Sequence, residues 1–220
     1  MTARGAPRVT LKLATSLDGR IATAAGESRW ITGPAAREAV HRLRAGHDAV
    51  LIGVETALAD DPELTVRRAD FNGRQPARVV LDSRQRLPAD GRLARSAADV
   101  PLFVVATGAP ERRLTDVGAR VVQVEAAQDG RPDPAAVVGR LAEEGLARLF
   151  VEGGGQVAAS FLRAGLVDEI EWFRAPMILG GEGRPAVGGM EISALAAAPR
   201  FRRIDLRTVG DDLWERYERL

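Results

Sequence analysis

Short apolar runs and amphipathic stretches alternate along most of this chain. Strand-like runs fall at residues 9–14, 49–53, 78–81, 102–106, 121–124, 149–152, 169–173 and 201–207. Several are apolar at nearly every position, as strands buried on both faces of a parallel sheet are. Between them, residues 34–44, 134–144 and 156–164 read as helices. Alternating strands and helices predict an α/β layer fold, with helices covering a largely parallel sheet. No internal repeat or linker-like stretch interrupts the pattern, and the polar segment 128–134 reads as a surface loop, so one domain over residues 1–220 is expected. The chain's end is ambiguous. Leu213, Tyr217 and Leu220 fit helical spacing, while 211–220 also reads as a strand with Trp214 and Leu220 on one face. The 3.6-residue period taken alone favours the helix.

Composition narrows the functional classes. A 220-residue chain that is 45% hydrophobic can bury a full core. Its net charge of +1 gives no reason to expect nucleic acid or an anionic membrane as partner. With no cysteine, disulfides, thiolate metal sites and a cysteine nucleophile are excluded. The opening MTARGAPR is too short and polar for a signal peptide, and no apolar run approaches membrane-spanning length, so a cytoplasmic protein is expected.

Candidate chemistry concentrates between Val9 and Arg67. A strand-like run holds a single lysine, Lys12, and is followed by a turn at Asp18-Gly19, then a polar loop with Ser28 and Trp30. The helix from Pro34 places Ala36, Val40 and Leu43 on a core-facing stripe, with Arg37, His41 and Arg44 on a neighbouring basic face. An arginine there suits a phosphate; the structural alternative is a solvated face with Arg44 offsetting the helix dipole. After the strand at 49–53 comes a loop ending in Asp60-Asp61-Pro62, whose two adjacent carboxylates are no metal site without further ligands; no metal is expected. A second signal is the glycine run 153–155 between the strand at 149–152 and the helix at 156–164. Glycines let a backbone approach a ligand, and an exposed helix start favours an anion. Gly153, Gly155 and Ala158 match the G-x-G-x-x-A spacing, yet too little chain follows for a second mononucleotide half. Glu152, ending a buried strand, needs a partner, and Lys12 is a candidate.

KLATSLDGRIATAAGESRWIT, HRLRAGHDAVLIGVETALADDPELTVR, LDSRQRLP, FVEGGGQVAASFLRAGLVDEI and APMILGG resemble the reductase half of the bacterial bifunctional riboflavin-biosynthesis deaminase/reductase, in the same order from Val9 to the end of the chain. The resemblance implies a dihydrofolate reductase-like fold, a mixed, mostly parallel sheet flanked by helices, with residues 1–7 as a short N-terminal extension. It also implies a homodimer and a strand at the C-terminus. The implied reaction is NADPH-dependent reduction of a phosphoribosylamino-pyrimidine to its ribitylamino counterpart, with hydride delivered to C1′ of the opened sugar. Such chemistry requires alignment of two ligands and proton management rather than a protein nucleophile.

By the same resemblance Ser28, Arg44, Leu64, Arg67 and Glu152 fall where the family contacts substrate, the arginines at the 5′-phosphate. Ala14, Trp30, Thr56, Asp60 and Ser83 fall where it contacts NADPH, together with Gly154, Gly155, Gln156, Val157, Ala158, Ala159 and Ser160 around the pyrophosphate. Ser83-Arg84 is placed to receive the adenosine 2′-phosphate. Lys12, Glu152 and Asp18 are the candidates for orientation and proton handling. Each has a structural alternative: a buried pair for Lys12 and Glu152, a plain turn at Asp18-Gly19 or at Asp60-Asp61-Pro62, and a rim aromatic for Trp30. The zinc deaminase signature is absent, since only His41 and His47 occur and cysteine is missing, so a free-standing reductase is expected. Gly33 stands where relatives often carry a hydroxyl-bearing cap. Two alternatives stay open: a reductase of the same fold acting on another heterocycle or carbonyl, and a non-catalytic nucleotide-binding domain.

Overall fold

The valine-rich runs become strands because β-branched side chains pack on a pleated surface that is covered from both sides. A computed structural model describes residues 6–220, so the first five residues of the expected extension 1–7 lie outside the described residues. In chain order the elements are β1 (Arg8–Thr15), β2 (Arg20–Ala22), α1 (Pro34–Ala45), β3 (Ala49–Gly53), α2 (Val54–Asp60) and β4 (Ala77–Leu81). Next come α3 (Arg92–Arg95), β5 (Leu102–Ala106), α4 (Arg112–Thr115), β6 (Arg120–Gln123), α5 (Pro134–Glu143) and β7 (Arg148–Gly153). The chain closes with α6 (Gly155–Arg163), β8 (Glu169–Arg174), β9 (Arg184–Pro185), β10 (Phe201–Val209) and β11 (Asp212–Arg219). They gather into two compact units, the first built on Leu43–Phe150 and the second on Val9–Arg42 with Val151–Leu220.

In the first unit the start of β7 is followed across the sheet by β3, β4, β5 and β6. The pairs β3–β4, β4–β5 and β5–β6 are all parallel. Every residue of β3 and β5 is buried. Leu51, Val79, Val80, Val104, Leu114, Leu141 and Phe150 are sealed from solvent. Each such side chain contributes about 1.5–3 kcal/mol of transfer free energy. α5 starts as its sequence dictates, with Pro134 at the first turn and the Asp133 carboxylate accepting the Ala136 amide at 2.8 Å. A buried cation sits among these apolar side chains. Arg78 is fully buried on β4 and donates to the Ser96 hydroxyl at 2.6 Å, the Ser96 carbonyl at 3.0 Å and the Val100 carbonyl. Burial lowers its pKa to about 10, so it stays charged at neutral pH and ties the end of α3 to β4.

The second unit is mixed. The end of β7 borders β1, which pairs parallel with β8; β8 pairs antiparallel with β11, and β11 with β10. A small antiparallel pair, β2–β9, lies apart from this sheet. Leu11, Phe161 and Phe173 are its fully buried apolar anchors.

One open reading is decided and one local expectation is corrected. The C-terminal segment is the strand that the resemblance implies, not the helix that its period alone favours. Trp214 and Arg216, two apart and so on one face of β11, both reach the Glu171 carboxylate on β8, at 2.6 and 2.9 Å. A helix would turn them about 200° apart. The free edge of β8 and a buried carboxylate together outweigh the intrinsic period. Residues 54–60, expected as loop, form α2. Only Val54 and Ala57 bury there, too few to register as a stripe, and Asp61 ends the helix in the left-handed region at φ 38°.

Candidate active site

The polar groups of the second unit are built outward from β1. Its alternation puts Lys12 and Ala14 on one face, half-buried, with Lys12 opposite Glu171 and Ala14 opposite Phe173 on β8. Phe173 stacks on Trp214 at 5.2 Å. Glu171 is only 2% exposed, and burial outweighs its arginine and indole donors, so its pKa is raised. The row Lys12, Glu171, Arg216 therefore carries charge across the sheet. Glu152, also half-buried, is on β7, the strand beside β1.

Beyond β1 the chain turns at Asp18. Its carboxylate accepts the Ser16 hydroxyl at 2.6 Å, the Leu179 amide at 3.1 Å and the Gly180 amide at 2.8 Å. The Ser16 hydroxyl, helped by the two amides, holds the Asp18 pKa at about 2. A carboxylate so committed ties the segment 179–180 to the β1 turn.

Ser28 is half-buried in the following loop, and Trp30 is 65% exposed. The Arg37 guanidinium lies 4.4 Å from the Trp30 ring centre and donates to the Thr32 carbonyl at 2.9 Å. The basic face of α1 is thus partly spent on holding an indole out toward solvent. Trp30, Arg37, Pro34, Met177, Val209 and Asp211 line a cleft of about 520 Å³.

The glycine run makes a left-handed turn at Gly153, φ 114°, and Gly154 begins α6 without a side-chain cap. The peptide bonds Gly153–Gly154 and Arg29–Trp30 are cis. A Cβ on Gly155 would lie 2.6 Å from the Pro185 carbonyl oxygen, so here the close approach permitted by glycine is made by the protein's own segment 185–186. The Gly188 amide donates to the Gly155 carbonyl at 2.8 Å, continuing that contact. On α6, Ala158 and Ala159 are sealed in the core and the Ser160 hydroxyl donates back to the Val157 carbonyl at 2.9 Å. Gly154, Gly155, Gln156 and Val157 form its accessible start.

The first unit brings together Arg44, Leu64 and Arg67. Arg44, in the last turn of α1, donates to the Thr65 carbonyl at 2.9 Å. Leu64 beside it is 4% exposed and left-handed at φ 57°, a conformation that a leucine adopts only when its surroundings impose it. The Gln75 side-chain amide supplies part of that constraint by pairing both backbone groups of Val66, at 2.7 and 3.0 Å. Arg67 is exposed and pairs with Glu63 at 3.0 Å. Thr56 and Asp60 are half-buried along α2, and Ser83 follows β4. Gln75, Asp212 and Glu171 were not candidates from the sequence. Gln75 acts through distant backbone groups, which no local motif announces.

A family model described as the RibD C-terminal domain matches residues 7–214. The chain belongs to this family. RibD C-terminal domain relatives include a 2,5-diamino-6-ribosylamino-4(3H)-pyrimidinone 5′-phosphate reductase of Methanothermobacter thermautotrophicus, 40% identical over 213 residues and covering 96% of this chain and 97% of that protein. The riboflavin biosynthesis protein RibD of Bacillus amyloliquefaciens is 36% identical over 213 residues, covering 95% of this chain and 56% of that protein. Among solved structures, Acinetobacter baumannii RibD superposes with a TM-score of 0.86 at 31% identity, over 99% of this chain and 59% of that one. The chain thus spans a little over half the length of the bacterial RibD proteins that it matches. The α/β, dihydrofolate reductase-like fold implied by the sequence motifs is the fold of these RibD reductase domains. No helix among the described residues is long and apolar enough to cross a membrane.

Proposed function

We propose that this chain reduces 5-amino-6-(5-phosphoribosylamino)uracil, or the equivalent diaminopyrimidinone, to the 5-phosphoribitylamino product with NADPH. The observation that carries this reading is the end-to-end correspondence with the archaeal phosphate reductase, 97% of which this chain covers. The substrate for which that relative is named favours the diaminopyrimidinone form. Arg44, bonded to the Thr65 carbonyl, and Arg67, two residues further on, support a phosphorylated substrate, because the exposed Arg67–Glu63 pair is cheap to exchange for a phosphate.

The residues fit a nicotinamide dinucleotide. An uncapped glycine start on α6 suits a pyrophosphate, and an exposed indole held by Arg37 suits a flat heterocycle. In this reading Gly154, Gly155, Gln156 and Val157 line the pyrophosphate, with Ala158, Ala159 and Ser160 setting the helix that presents them. By resemblance Ala14, Trp30, Thr56, Asp60 and Ser83 are the further residues assigned to the cofactor, and Ser28, Leu64 and Glu152, with the arginines, those assigned to the substrate. NADPH, when bound, supplies a hydride.

Opening of the ribose ring breaks the C1′–O4′ bond, leaving a hydroxyl at C4′ and a C=N bond at C1′. Reduction then adds hydride to C1′ and a proton to the nitrogen. Lys12 and Glu152, on neighbouring strands, are assigned the proton movements of these two steps: the proton that leaves the nitrogen as the C=N bond forms is balanced by one delivered to the departing ring oxygen, and reduction takes up one further proton on the nitrogen. Asp18 serves them by anchoring the segment 179–180. We take the enzyme to be a cytoplasmic homodimer. The test is NADPH oxidation with the aminated and deaminated phosphosugar pyrimidines side by side. Oxidation with neither substrate would overturn the reading.

A further inference from the structure

Of the 31 lysines and arginines in this chain, only Lys12 is a lysine. Arginine serves at every other such position, and a guanidinium stays charged in any setting a protein offers. An amine can gain and lose a proton, and half-buried on a strand it tends to shed its charge. The strand register puts a counter-charge beside it. Glu171 stands directly opposite Lys12 on β8, and Arg216 stands directly opposite Glu171 on β11. Residues paired in this way share a face of the sheet, so the three side chains form one row of cation, anion and cation.

Glu171 is fixed in that row. The Trp214 indole donates to one carboxylate oxygen at 2.6 Å and the Arg216 guanidinium to the other at 2.9 Å, and the residue is 2% exposed. The next row along the same face is Ala14, Phe173 and Trp214, whose two rings stack at 5.2 Å and wall the carboxylate from water. Charges in so dry a setting act on one another more strongly than in solvent. The effect shows on one neighbour already: the hydrogen bond to Glu171 raises the Arg216 pKa. Other carboxylates flank the row. They are Glu169, opposite Glu218 two positions along, Asp205, opposite Arg216 on β10, and Glu152 on β7.

We propose that Glu171 is a positioning residue for the reaction assigned above: its fixed carboxylate is the counter-charge that keeps the Lys12 amine protonated, as a proton donor to the departing ring oxygen must be. This rests on the reading of Lys12 as a proton carrier and adds the group that sets its charge. Glu171 itself exchanges no proton in the reaction. Both of its oxygens are taken by donors, and the Arg216 guanidinium opposes its protonation.

The first test needs neither substrate nor cofactor. Reductive methylation of the whole folded chain with isotope-labelled formaldehyde marks the Lys12 amine and the α-amino group, and the carbon resonance missing from Lys12→Arg is that of Lys12. Its pH titration should show an amine about tenfold more acidic in Glu171→Gln than in the wild-type protein. Removing both charges, Glu171→Gln with Arg216→Gln, should recover part of that change, because the cation left uncompensated by the single substitution is gone. Lost packing predicts the reverse, a larger change in the double variant. An unchanged titration in Glu171→Gln overturns the proposal, and so does a double variant that departs from the wild-type protein as far as the single one. In turnover, the fall of kcat at high pH should begin about one pH unit lower in Glu171→Gln, and a limb that stays put would remove the residue's role in the reaction. A shifted amine in a protein that reduces neither pyrimidine would sink the reaction assigned above and leave the pairing of Lys12 with Glu171 standing.

Discussion

The Gly33 amide donates to the Asp212 carboxylate at 2.7 Å, linking the start of α1 to the first residue of β11 across 179 positions of sequence. Gly33 has no side chain with which to cap its helix, and Asp212, only 3% exposed, supplies the missing acceptor from another element. Its negative charge also lies at the positive end of the helix. Asp212→Ala is expected to lower stability by about 1–2 kcal/mol, read as a shift in the denaturant midpoint. A Cβ at position 33 would sit 3.4 Å from that carboxylate, an ordinary contact, so Gly33→Ser in the Asp212→Ala background should recover part of the loss. No recovery would mean that the carboxylate serves β11 rather than α1.

Asp18 sets a pH dependence. Its folded pKa of about 2 lies below the usual 3.8, so the unfolded chain binds the proton more readily. The stabilisation is therefore complete above about 3.8 and is lost as pH falls toward 2. Unfolding midpoints measured across that window should fall less steeply for Asp18→Asn than for the wild-type protein. Parallel curves would show that the carboxylate's bonds to Ser16, Leu179 and Gly180 carry no net stabilisation.

Arg44 and Arg67 should separate in a kinetic comparison. Each phosphate hydrogen bond is worth about 1.5–3 kcal/mol, so either alanine variant should raise KM for the phosphorylated substrate by roughly ten- to a hundredfold. The Arg67–Glu63 pair is exposed, so loss of Arg67 should leave stability within about 0.5 kcal/mol. Arg44 also holds the Thr65 carbonyl, next to the left-handed Leu64, and its loss should cost stability as well. Equal rates on the phosphorylated and dephosphorylated substrates in the wild-type protein would remove the role from both.

The strands were legible in the sequence where they are buried on both faces. The runs at 49–53 and 102–106 are apolar throughout, and nothing but a sheet interior accounts for them. Glu152 and the glycine turn were legible because a charge and a left-handed bend interrupt such runs. The strand β11 was not, since its conformation is decided by Glu171, forty-three residues from Trp214. Gln75 and Gln85 were invisible for a related reason. A glutamine that cross-links backbone groups leaves no period, no charge and no spacing behind, and its left-handed φ at position 85 is imposed by the partners it reaches. The sequence motifs pointed to candidate binding residues, while the residues that brace the segments around them belong to tertiary structure alone.

Glu152→Gln isolates the proton chemistry. The substitution preserves size and hydrogen-bonding shape, so the turn at Gly153 and the start of α6 should be undisturbed and the nucleotide should bind as before. In the proposed reaction, what is lost is the ability to exchange a proton with the sugar as the C1′–O4′ bond breaks. General acid–base assistance contributes about 10²–10⁴-fold, so kcat should fall within that range while the dissociation constant for NADPH stays the same. Because Lys12 faces Glu171 across β1 and β8, Lys12→Met would strip the cation from the row that ends at Arg216, and its effect on turnover mixes chemistry with a change of local field. The glutamine variant carries no such ambiguity. Undiminished kcat in Glu152→Gln would assign the carboxylate to packing and leave Lys12 to manage both protons.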